Sequence, residues 1–372
     1  MKRIVIKIGS SSLVKKGHLD EERLDSLIKE IKLLNDNDIK ASIVTSGSIA
    51  LGAYSIGVKP KDMKMKQACA AHGQAILMDG YMEACEKYGL KCAQILVNHD
   101  DFENRERMLN LENTLNTLIE NNIIPIINEN DALAVEEIRV GDNDTLSALI
   151  APMASADMLV LLSDIDGLYT DNPKTNPNAK LIRLVDKITD DIKAMAKPSS
   201  TEVGTGGMET KIKAAIMCVN SGVDMIIQNA DDIKSLHNAF TQNYSGTLFV
   251  KNKTIASRMQ WILFKTRPTG NIIIDLGCKD AILERKSLLA SGILDVRGMV
   301  EVGDVVNIVY ENKVIAKGIS NFNDYDIMKI RGHSSNELDK ILSKKVKKEV
   351  IHANDIALIE EWFYVRLFKY NR

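Results

Sequence analysis

The amino-terminal part of the sequence repeats one unit: a short apolar strand, a turn of glycine and serine, and then a helix. The first copy reads RIVIKIGSSS from Arg3, and the second reads ASIVTSGSIALG from Ala41. Between them, apolar side chains at the 3.6-residue spacing predict an amphipathic helix over 20–34, with Asp20 as its N-cap. Further apolar strands are predicted at 92–97, 123–127 and 158–162. Because parallel strands need crossover helices, this alternation predicts an α/β fold, a doubly wound, mainly parallel sheet with helices on both faces.

The carboxyl-terminal part of the chain has a different pattern. A chain of 372 residues is too long for one ordinary hydrophobic core, so two domains are expected. Past about residue 265 the strands become short and turns recur about every ten residues, which is typical of a small, mostly β domain. We therefore predict a first domain at 1–255, a linker at 256–269, a mostly β domain at 270–355 and a C-terminal extension at 356–372 that is helical over 356–368.

Composition and charge exclude several classes of protein. The chain is 45% hydrophobic and 26% charged with a net charge of −2, which is typical of a soluble globular protein. No apolar run is long enough for a membrane span or a signal peptide. The five cysteines are scattered without a CxxC pair, and the six histidines lack metal-ligand spacing. We therefore expect a cytoplasmic protein with neither a disulfide framework nor a zinc site.

Acidic and amide side chains crowd behind the strand at 123–127. One group follows that strand directly and a second precedes the next apolar-periodic run; they are Asn128, Glu129, Asn130 and Asp131, and then Asp142, Asn143 and Asp144. Ligands of open α/β sheets bind at the carboxyl ends of the strands, so these groups predict a binding site. Helix capping is the alternative for the second group, because Asp and Asn are common N-cap residues.

Lysines and glycines elsewhere in the chain suit a phosphate ligand. Lys7 interrupts an apolar strand directly before Gly9 and Ser10, whose backbone N–H groups could face an anion. The alternative is that Lys7 protects an edge strand from aggregation. The stretch VGTGGMETK places three glycines before a helix that carries Lys211, although it is neither a Walker A motif nor GxGxxG. A merely flexible glycine loop is the alternative there.

A third acidic group follows the strand at 158–162. Asp164 and Asp166 stand where carboxylates could orient a lysine or a water around a magnesium ion. Asp166 precedes Gly167, so a simple Asp-Gly turn is the alternative.

Taken together, these motifs resemble those of the amino acid kinase family. VTSGSIALG, INENDALA, VGDNDTLSAL and GTGGMETK occur in the family's order and approximate spacing, and the resemblance extends to about residue 355. Within the family the sequence is most similar to members that phosphorylate the side-chain carboxylate of L-glutamate. The second domain resembles the PUA domain. The family commonly has Thr where this chain has Ser10 and Ser163, and both residues keep the hydroxyl.

The resemblance implies transfer of the γ-phosphoryl group of ATP, with Mg²⁺, to glutamate. The implied catalytic residues are Lys7, Lys211 and Asp164, with Asp164 organising the lysines. The implied glutamate site consists of Ser46, Asp131 and Asn143, with Asp142, Asp144 and Ser10 beside it. The implied ATP site consists of Lys7, Gly9, Ser163, Asp164, Thr205, Gly206, Gly207, Met208, Glu209, Thr210 and Lys211. The resemblance also implies feedback inhibition by proline, a place at the first step of proline biosynthesis, and a homodimer or homotetramer.

Two alternatives remain at this stage. Another acceptor of the same family, such as N-acetylglutamate, aspartate or UMP, would use similar motifs. An RNA-binding protein acting through the second domain is the other alternative. The net charge of −2 argues against it, since the run Lys344, Lys345, Lys347 and Lys348 is the basic patch that the sequence offers.

Overall fold

The structure is a computed structural model that describes residues 1–98, 101–102, 105–133, 143–173, 175–195, 207–251, 262 and 268–358. The chain divides into two compact units, residues 1–251 and residues 252–372. The linker predicted at 256–269 lies almost wholly outside the described residues. Within the described part of the chain, no helix has the length and apolar character that a membrane span requires.

The first unit is built around one eight-stranded sheet with the strand order β5-β6-β4-β1-β7-β9-β10-β8. Its strands, together with the hairpin β2–β3, are β1 Lys2–Ile8, β2 Val14–Lys15, β3 His18–Leu19, β4 Ile39–Val44, β5 Lys91–Val97, β6 Ile123–Glu129, β7 Met158–Ser163, β8 Leu184–Val185, β9 Asp224–Asn229 and β10 Thr247–Phe249. The sheet is parallel except between β9 and β10. The predicted doubly wound, mainly parallel sheet is therefore confirmed.

The position of β1 decides between the two interpretations of Lys7. β1 pairs with β4 on one side and with β7 on the other, and Lys7 is in register with Val44 and Leu161. A strand paired on both sides has no exposed edge to protect. The edge-strand interpretation of Lys7 is therefore wrong.

Helices connect the strands of the first unit. Those described are α1 Ser10–Leu13, α2 Glu21–Asp36, α3 Ser48–Ile56, α4 Met63–Lys87, α5 Arg105–Glu120, α6 Asn143–Met153, α7 Asp190–Ala194 and α8 Met208–Asn220, with a 3₁₀ segment at Ala230–Asn238. The predicted cap of α2 is present, since the Asp20 carboxylate accepts a hydrogen bond from the Arg23 N–H at 3.1 Å. The apolar stripe of α2 and alternate residues of β1, among them Ile4, Ile6 and Leu27, are buried in one core.

Helices α3 and α4 pack so closely that glycine is required where they meet. A Cβ atom on Gly52 would lie 1.8 Å from the carbonyl oxygen of Cys69, and one on Gly73 would lie 1.8 Å from that of Ser48. Gly47, the N-cap residue of α3, has a left-handed φ of 111°. The turn after β4 is thereby held against the middle of α4.

The second unit contains a five-stranded sheet with the order β12-β11-β13-β14-β15. Its elements are β11 Gly270–Ile274, α9 Leu276–Leu283, β12 Ile293–Gly298, β13 Val305–Tyr310, β14 Lys313–Ile319, α10 Asp324–Ile330, α11 Leu338–Ile341 and β15 Ile356–Leu358. The predicted helix from 356 is wrong at its start, because residues 356–358 pair antiparallel with β14. This pairing buries all three side chains of β15. Residues 359–372 lie outside the described part.

Candidate active site

Two lysines from different elements converge on one buried carboxylate. The Nζ atom of Lys7 lies 2.6 Å from Oδ1 of Asp144, and the Nζ atom of Lys211 lies 3.1 Å from Oδ2 of the same side chain. The Asp144 side chain is 1% exposed, and those of Lys7 and Lys211 are 13% and 5% exposed. The three charged groups sum to one net positive charge, which suits a phosphate ligand.

The electrostatics of this cluster keep Asp144 ionised. Burial alone would raise the pKa of its carboxyl, but the Coulomb attraction and hydrogen bonds of Lys7 and Lys211 outweigh burial and hold the pKa below its ordinary value. The hydroxyl of Thr210 adds a hydrogen bond to Oδ2 at 3.1 Å. The ionised carboxylate of Asp144 therefore holds the two ammonium groups side by side.

The local chain explains how these residues meet. Lys7 lies near the carboxyl end of central strand β1, and its ammonium group lies 3.6 Å from where a Cβ of Gly9 would be. Lys211 and Thr210 lie in the first turn of α8, which begins after Gly207. The N-terminus of α8 offers backbone N–H groups and a partial positive charge beside the lysines.

A second cluster surrounds Asn143, the residue directly before Asp144. Its Nδ2 atom donates to the carbonyl oxygen of Thr45 at 2.5 Å, to Oγ of Ser46, and to Oδ1 of Asn128 at 3.3 Å. Because Asn143 and Asp144 are consecutive in the first turn of α6, the amide cluster and the lysine cluster are adjacent.

Asp131 is connected to this amide cluster through the start of α3. The hydroxyl of Ser48 donates to Oδ2 of Asp131 at 3.4 Å, and Ser48 lies two residues after Ser46. The structure therefore brings together three predicted glutamate-site residues, Ser46, Asn143 and Asp131, at the carboxyl ends of neighbouring strands β4 and β6.

Two buried polar residues of α4 support the site, and the sequence analysis did not identify them. Oε1 of Gln74 accepts a hydrogen bond from Nδ2 of Asn128 at 2.9 Å, and the hydroxyl of Tyr81 lies 2.9 Å from Oγ1 of Thr45. Gln74 and Tyr81 are seven residues apart, which places them on one face of the helix. Burial raises the pKa of the Tyr81 hydroxyl, so it stays protonated.

Asp164 lies directly after β7, at the strand end where the sequence analysis placed it. It is exposed at the end of β7, where its Oδ1 accepts a hydrogen bond from the Ser163 hydroxyl at 3.0 Å. The carboxylate that contacts both lysines is that of Asp144, which the resemblance places beside the glutamate site. The role of Asp164 in organising the lysines stays a prediction. The carboxylate of Asp166 accepts hydrogen bonds from the side chains of Asn229 and Tyr169. These contacts favour the structural alternative for Asp166, a turn before Gly167.

The remaining predicted site residues fall into two groups. Asp142, Thr205 and Gly206 lie outside the described residues. Ser10 begins the short helix α1 after Gly9 and is exposed, while Met208 and Glu209 form the first turn of α8 after Gly207. Ser10 thus lies next to the carboxyl end of β1, which carries Lys7, and Met208 and Glu209 lie in the same helical turn as Lys211.

The basic run of the second unit is partly occupied by contacts within that unit. Lys344 forms an ion pair with Asp326 at 3.0 Å, and Nζ of Lys347 donates to Oδ1 of Asn321 at 2.7 Å. All four lysines of the run are exposed. These contacts favour a solvated structural face.

The donor set at the site suits a magnesium ion that arrives with a nucleotide. Among the described residues no group of three or more His, Cys, Asp or Glu side chains is arranged around a possible metal position. Mg²⁺ at phosphate sites usually binds one or two carboxylates in addition to phosphate oxygens and waters. The exposed carboxylate of Asp164 meets that requirement, whereas the Asp144 carboxylate is already bound by two ammonium groups.

Two family models match the sequence: the amino acid kinase family over residues 2–229 and the PUA domain over residues 270–342. Glutamate 5-kinase of Carboxydothermus hydrogenoformans is 42% identical over 97% of this chain and 98% of its own length. Glutamate 5-kinases of Caldanaerobacter subterraneus and Methanosarcina acetivorans are 40% and 39% identical, each over 96% of this chain and over 98% and 96% of their own lengths.

Proposed function

The chain belongs to the amino acid kinase family and carries a PUA domain, and from this premise we propose that it phosphorylates the side-chain carboxylate of L-glutamate with ATP to give L-glutamyl 5-phosphate. The predicted resemblance to the family is confirmed, and with it the prediction that the protein is a phosphotransferase. The identity of about 40% to glutamate 5-kinases over nearly the full length supports glutamate as the acceptor.

One observation carries the proposal: a pair of ammonium groups held by Asp144 lies next to an amide cluster at the strand ends. Transfer of a phosphoryl group to a carboxylate brings two anions together. Positive charges placed beforehand between them stabilise the charge that develops on the transferring oxygens. Lys7 and Lys211 would supply these positive charges, and each is held by a different oxygen of the Asp144 carboxylate.

The acceptor needs no general base. A side-chain carboxylate has a pKa near 4.3, so at neutral pH it is already ionised and nucleophilic. The work of the protein is therefore to position the two anions and neutralise charge. The described site agrees, since its contacts near the lysines are amides, hydroxyls and one carboxylate that is already paired.

The second carboxylate of the site, Asp131, is assigned to the amine of glutamate. An anion beside an anionic acceptor would repel it unless the acceptor also carries a positive charge. The α-ammonium group of a free amino acid supplies that charge, whereas N-acetylglutamate lacks it. The assignment therefore predicts selection of free glutamate over its acylated form.

Nucleotide binding is assigned to the region around β1, β7 and the start of α8. Lys7, Gly9 and Lys211 would face the phosphates, and Ser163 and Asp164 border the same strand ends. A magnesium ion held by the phosphates and by Asp164 would neutralise part of their charge.

A hydroxamate trap tests the proposed reaction directly. Hydroxylamine converts an acyl phosphate to a hydroxamate, so the purified full chain is incubated with ATP, Mg²⁺, hydroxylamine and each candidate acceptor. We expect hydroxamate from L-glutamate, little from N-acetylglutamate or aspartate, and no ADP release with UMP. A faster reaction with any of the other acceptors would contradict the assignment of glutamate.

The same assay tests a regulatory and an assembly proposal. We propose that the reaction is the first step of proline biosynthesis and that proline inhibits it, as the family resemblance implies. Added L-proline should lower hydroxamate formation, and D-proline serves as the control. Light scattering of the purified chain tests the proposed homodimer or homotetramer.

A further inference from the structure

The buried amide of Gln74 is the feature of the site that the proposed chemistry does not explain. Gln74 lies in the middle of helix α4, is 9% exposed, and makes no contact with the lysine cluster in the described residues. Its Nε2 atom is buried without a hydrogen-bond partner in the described part of the chain. A buried unsatisfied donor is unfavourable, so an apolar residue would serve packing better. The hydrogen bond of the Gln74 side chain is made by its oxygen, Oε1, which accepts from Asn128.

A backbone N–H group decides which branch of each amide carries the oxygen and which carries the nitrogen. The N–H of Glu129 donates to Asn128 at 2.9 Å, and a backbone N–H requires an acceptor, so the Asn128 atom there is Oδ1. Nδ2 of Asn128 is then on the other branch of the amide. It faces Gln74 at 2.9 Å, where an acceptor, Oε1, is required.

The same logic continues to Asn143. Oδ1 of Asn128 and the carbonyl oxygen of Thr45 are both acceptors, so the Asn143 atom that faces them is the donor Nδ2. Oδ1 of Asn143 is consequently on the branch directed away from these acceptors. Hydrogen bonds thus connect the three amides of Gln74, Asn128 and Asn143, and Asn143 is the residue beside Asp144.

We propose that Gln74 is a positioning residue for the acceptor substrate, acting through Asn128 on Asn143. Without Oε1 of Gln74, the buried Nδ2 of Asn128 would lose its partner, and Asn128 would turn toward another acceptor. That movement would withdraw Oδ1 of Asn128 from Asn143. The proposal rests on the proposed function only in naming glutamate as the acceptor that Asn143 serves.

The packing of α4 makes Gln74 a firm anchor for this chain of amides. Gly73, its neighbour, lies against the backbone of Ser48 so closely that a Cβ atom would not fit. Seven residues further along, Tyr81 is bonded to Thr45. The helix is therefore fixed on both sides of Gln74, and movement of the amide chain is limited to side chains.

The central test replaces Gln74 by methionine, which has similar length but no acceptor of comparable strength. We expect the KM for glutamate to rise on the order of tenfold, as loss of one buried hydrogen bond would give. The KM for ATP should change less than about twofold, and Tm should not fall, because an unsatisfied donor is also removed. Gln242→Met, at an exposed loop position, is the matched control and should leave all three values unchanged.

A merely structural role gives a different result. In that case Gln74→Met would lower Tm and the active fraction, and the KM for glutamate would stay at the wild-type value. An unchanged KM for glutamate, or an equal rise in both KM values, would overturn the proposal. Gln74→Glu keeps an oxygen acceptor in either protonation state and should restore the KM for glutamate to within about threefold of wild type.

Two isosteric substitutions, each of which replaces an amide by a carboxyl group, test the orientation of the amides even if Gln74→Met does not fold. In Asn128→Asp an oxygen replaces Nδ2, and Gln74 accommodates it by turning its amide and donating Nε2. The double variant Gln74→Glu/Asn128→Asp sets two carboxyl groups face to face, so its KM for glutamate should exceed the product of the single effects. If the KM for glutamate of the double variant does not exceed that product, the proposed chain of amides is refuted.

The experiment separates this proposal from the proposed function. If the wild-type chain forms no hydroxamate from glutamate, the assignment of glutamate fails. The ratios of KM between variants are then measured with the acceptor that the wild-type chain does phosphorylate. They test the amide chain independently, because its geometry does not depend on which carboxylic acid is bound.

Discussion

Replacing Asp144 by asparagine removes the carboxylate that contacts both lysines and nearly preserves the size of the side chain. The charged groups involved are at most 13% exposed, so solvent screens their ion pairs little. Removing one partner of a buried ion pair typically costs about 3–5 kcal/mol, because the remaining charge stays buried. For a unit of this size that corresponds to a fall in Tm of about 6–20 °C. Phosphoryl transfer should fall as well, since the two ammonium groups would separate.

Thermal unfolding followed by calorimetry at pH 7 measures this effect on the full chain. Asp190→Asn is the matched control: its ion pair with Lys193 has a distance of 2.9 Å, but the Asp190 side chain is 97% exposed. We expect no resolvable change for that variant. A fall in Tm for Asp144→Asn no larger than for Asp190→Asn would refute the argument.

A second variant distinguishes charge from shape. If repulsion between the lysines destabilises Asp144→Asn, then adding Lys211→Met should recover part of the lost Tm. If Asp144 acts only by packing, the two substitutions should destabilise additively. Additive loss would therefore show that the buried charge is not the cause.

The pH dependence of the difference between wild type and Asp144→Asn has a definite sign. The folded pKa of Asp144 is lowered from the ordinary value of 3.8. A lowered pKa means that the carboxylate stabilises the fold above pH 3.8 and that this stabilisation is lost as the pH falls through the folded pKa. Urea unfolding at several pH values should thus show a constant difference near neutrality that shrinks in acid. A difference that grows below pH 3.8 would contradict the lowered pKa.

Three further substitutions test the remaining assignments. Asp131→Ala should raise the KM for glutamate far more than that for ATP, and equal changes would remove Asp131 from the glutamate site. Lys211→Ala should lower kcat by about 10²–10³, as loss of one electrostatic contact to a transition state does, and an unchanged kcat would refute its role. Gly73→Ala should destabilise the first unit by about 1–3 kcal/mol, because its Cβ would overlap the Ser48 carbonyl oxygen, and an unchanged Tm would show that α3 and α4 separate freely.

Much of the first unit could be predicted from periodicity alone. The strands and the crossover helix α2 follow directly from the spacing of apolar residues, and the Asp20 cap was placed correctly. The general position of the site also followed, because Lys7, Ser46 and Asp131 come at or just after the ends of predicted strands in one parallel sheet. Strand β15 was missed because three residues carry too little pattern to distinguish a strand from a helix.

The supporting residue Gln74 was not identified from the sequence, because its burial leaves no pattern in its own helix. It occurs within a long helix rich in methionine and alanine, where a single glutamine normally faces solvent. Its burial depends on the close approach of α3 and α4 at Gly52 and Gly73, which is a property of the folded chain. The sequence signal for this close approach is one glycine in each of two consecutive helices, Gly52 in α3 and Gly73 in α4.

The contact of Asp144 with both lysines has a geometric cause. Asp144 and Asp164 were both recognised, but a sequence does not say which of several carboxylates at neighbouring strand ends is directed inward. Consecutive residues of a helix differ in direction by about 100°, so Asn143 and Asp144 must face different neighbours. At the first turn of α6 one of them contacts the end of β4 and the other contacts Lys7 and Lys211. The distance between the amide cluster and the lysine cluster is therefore set by a single peptide unit, which is planar and rigid.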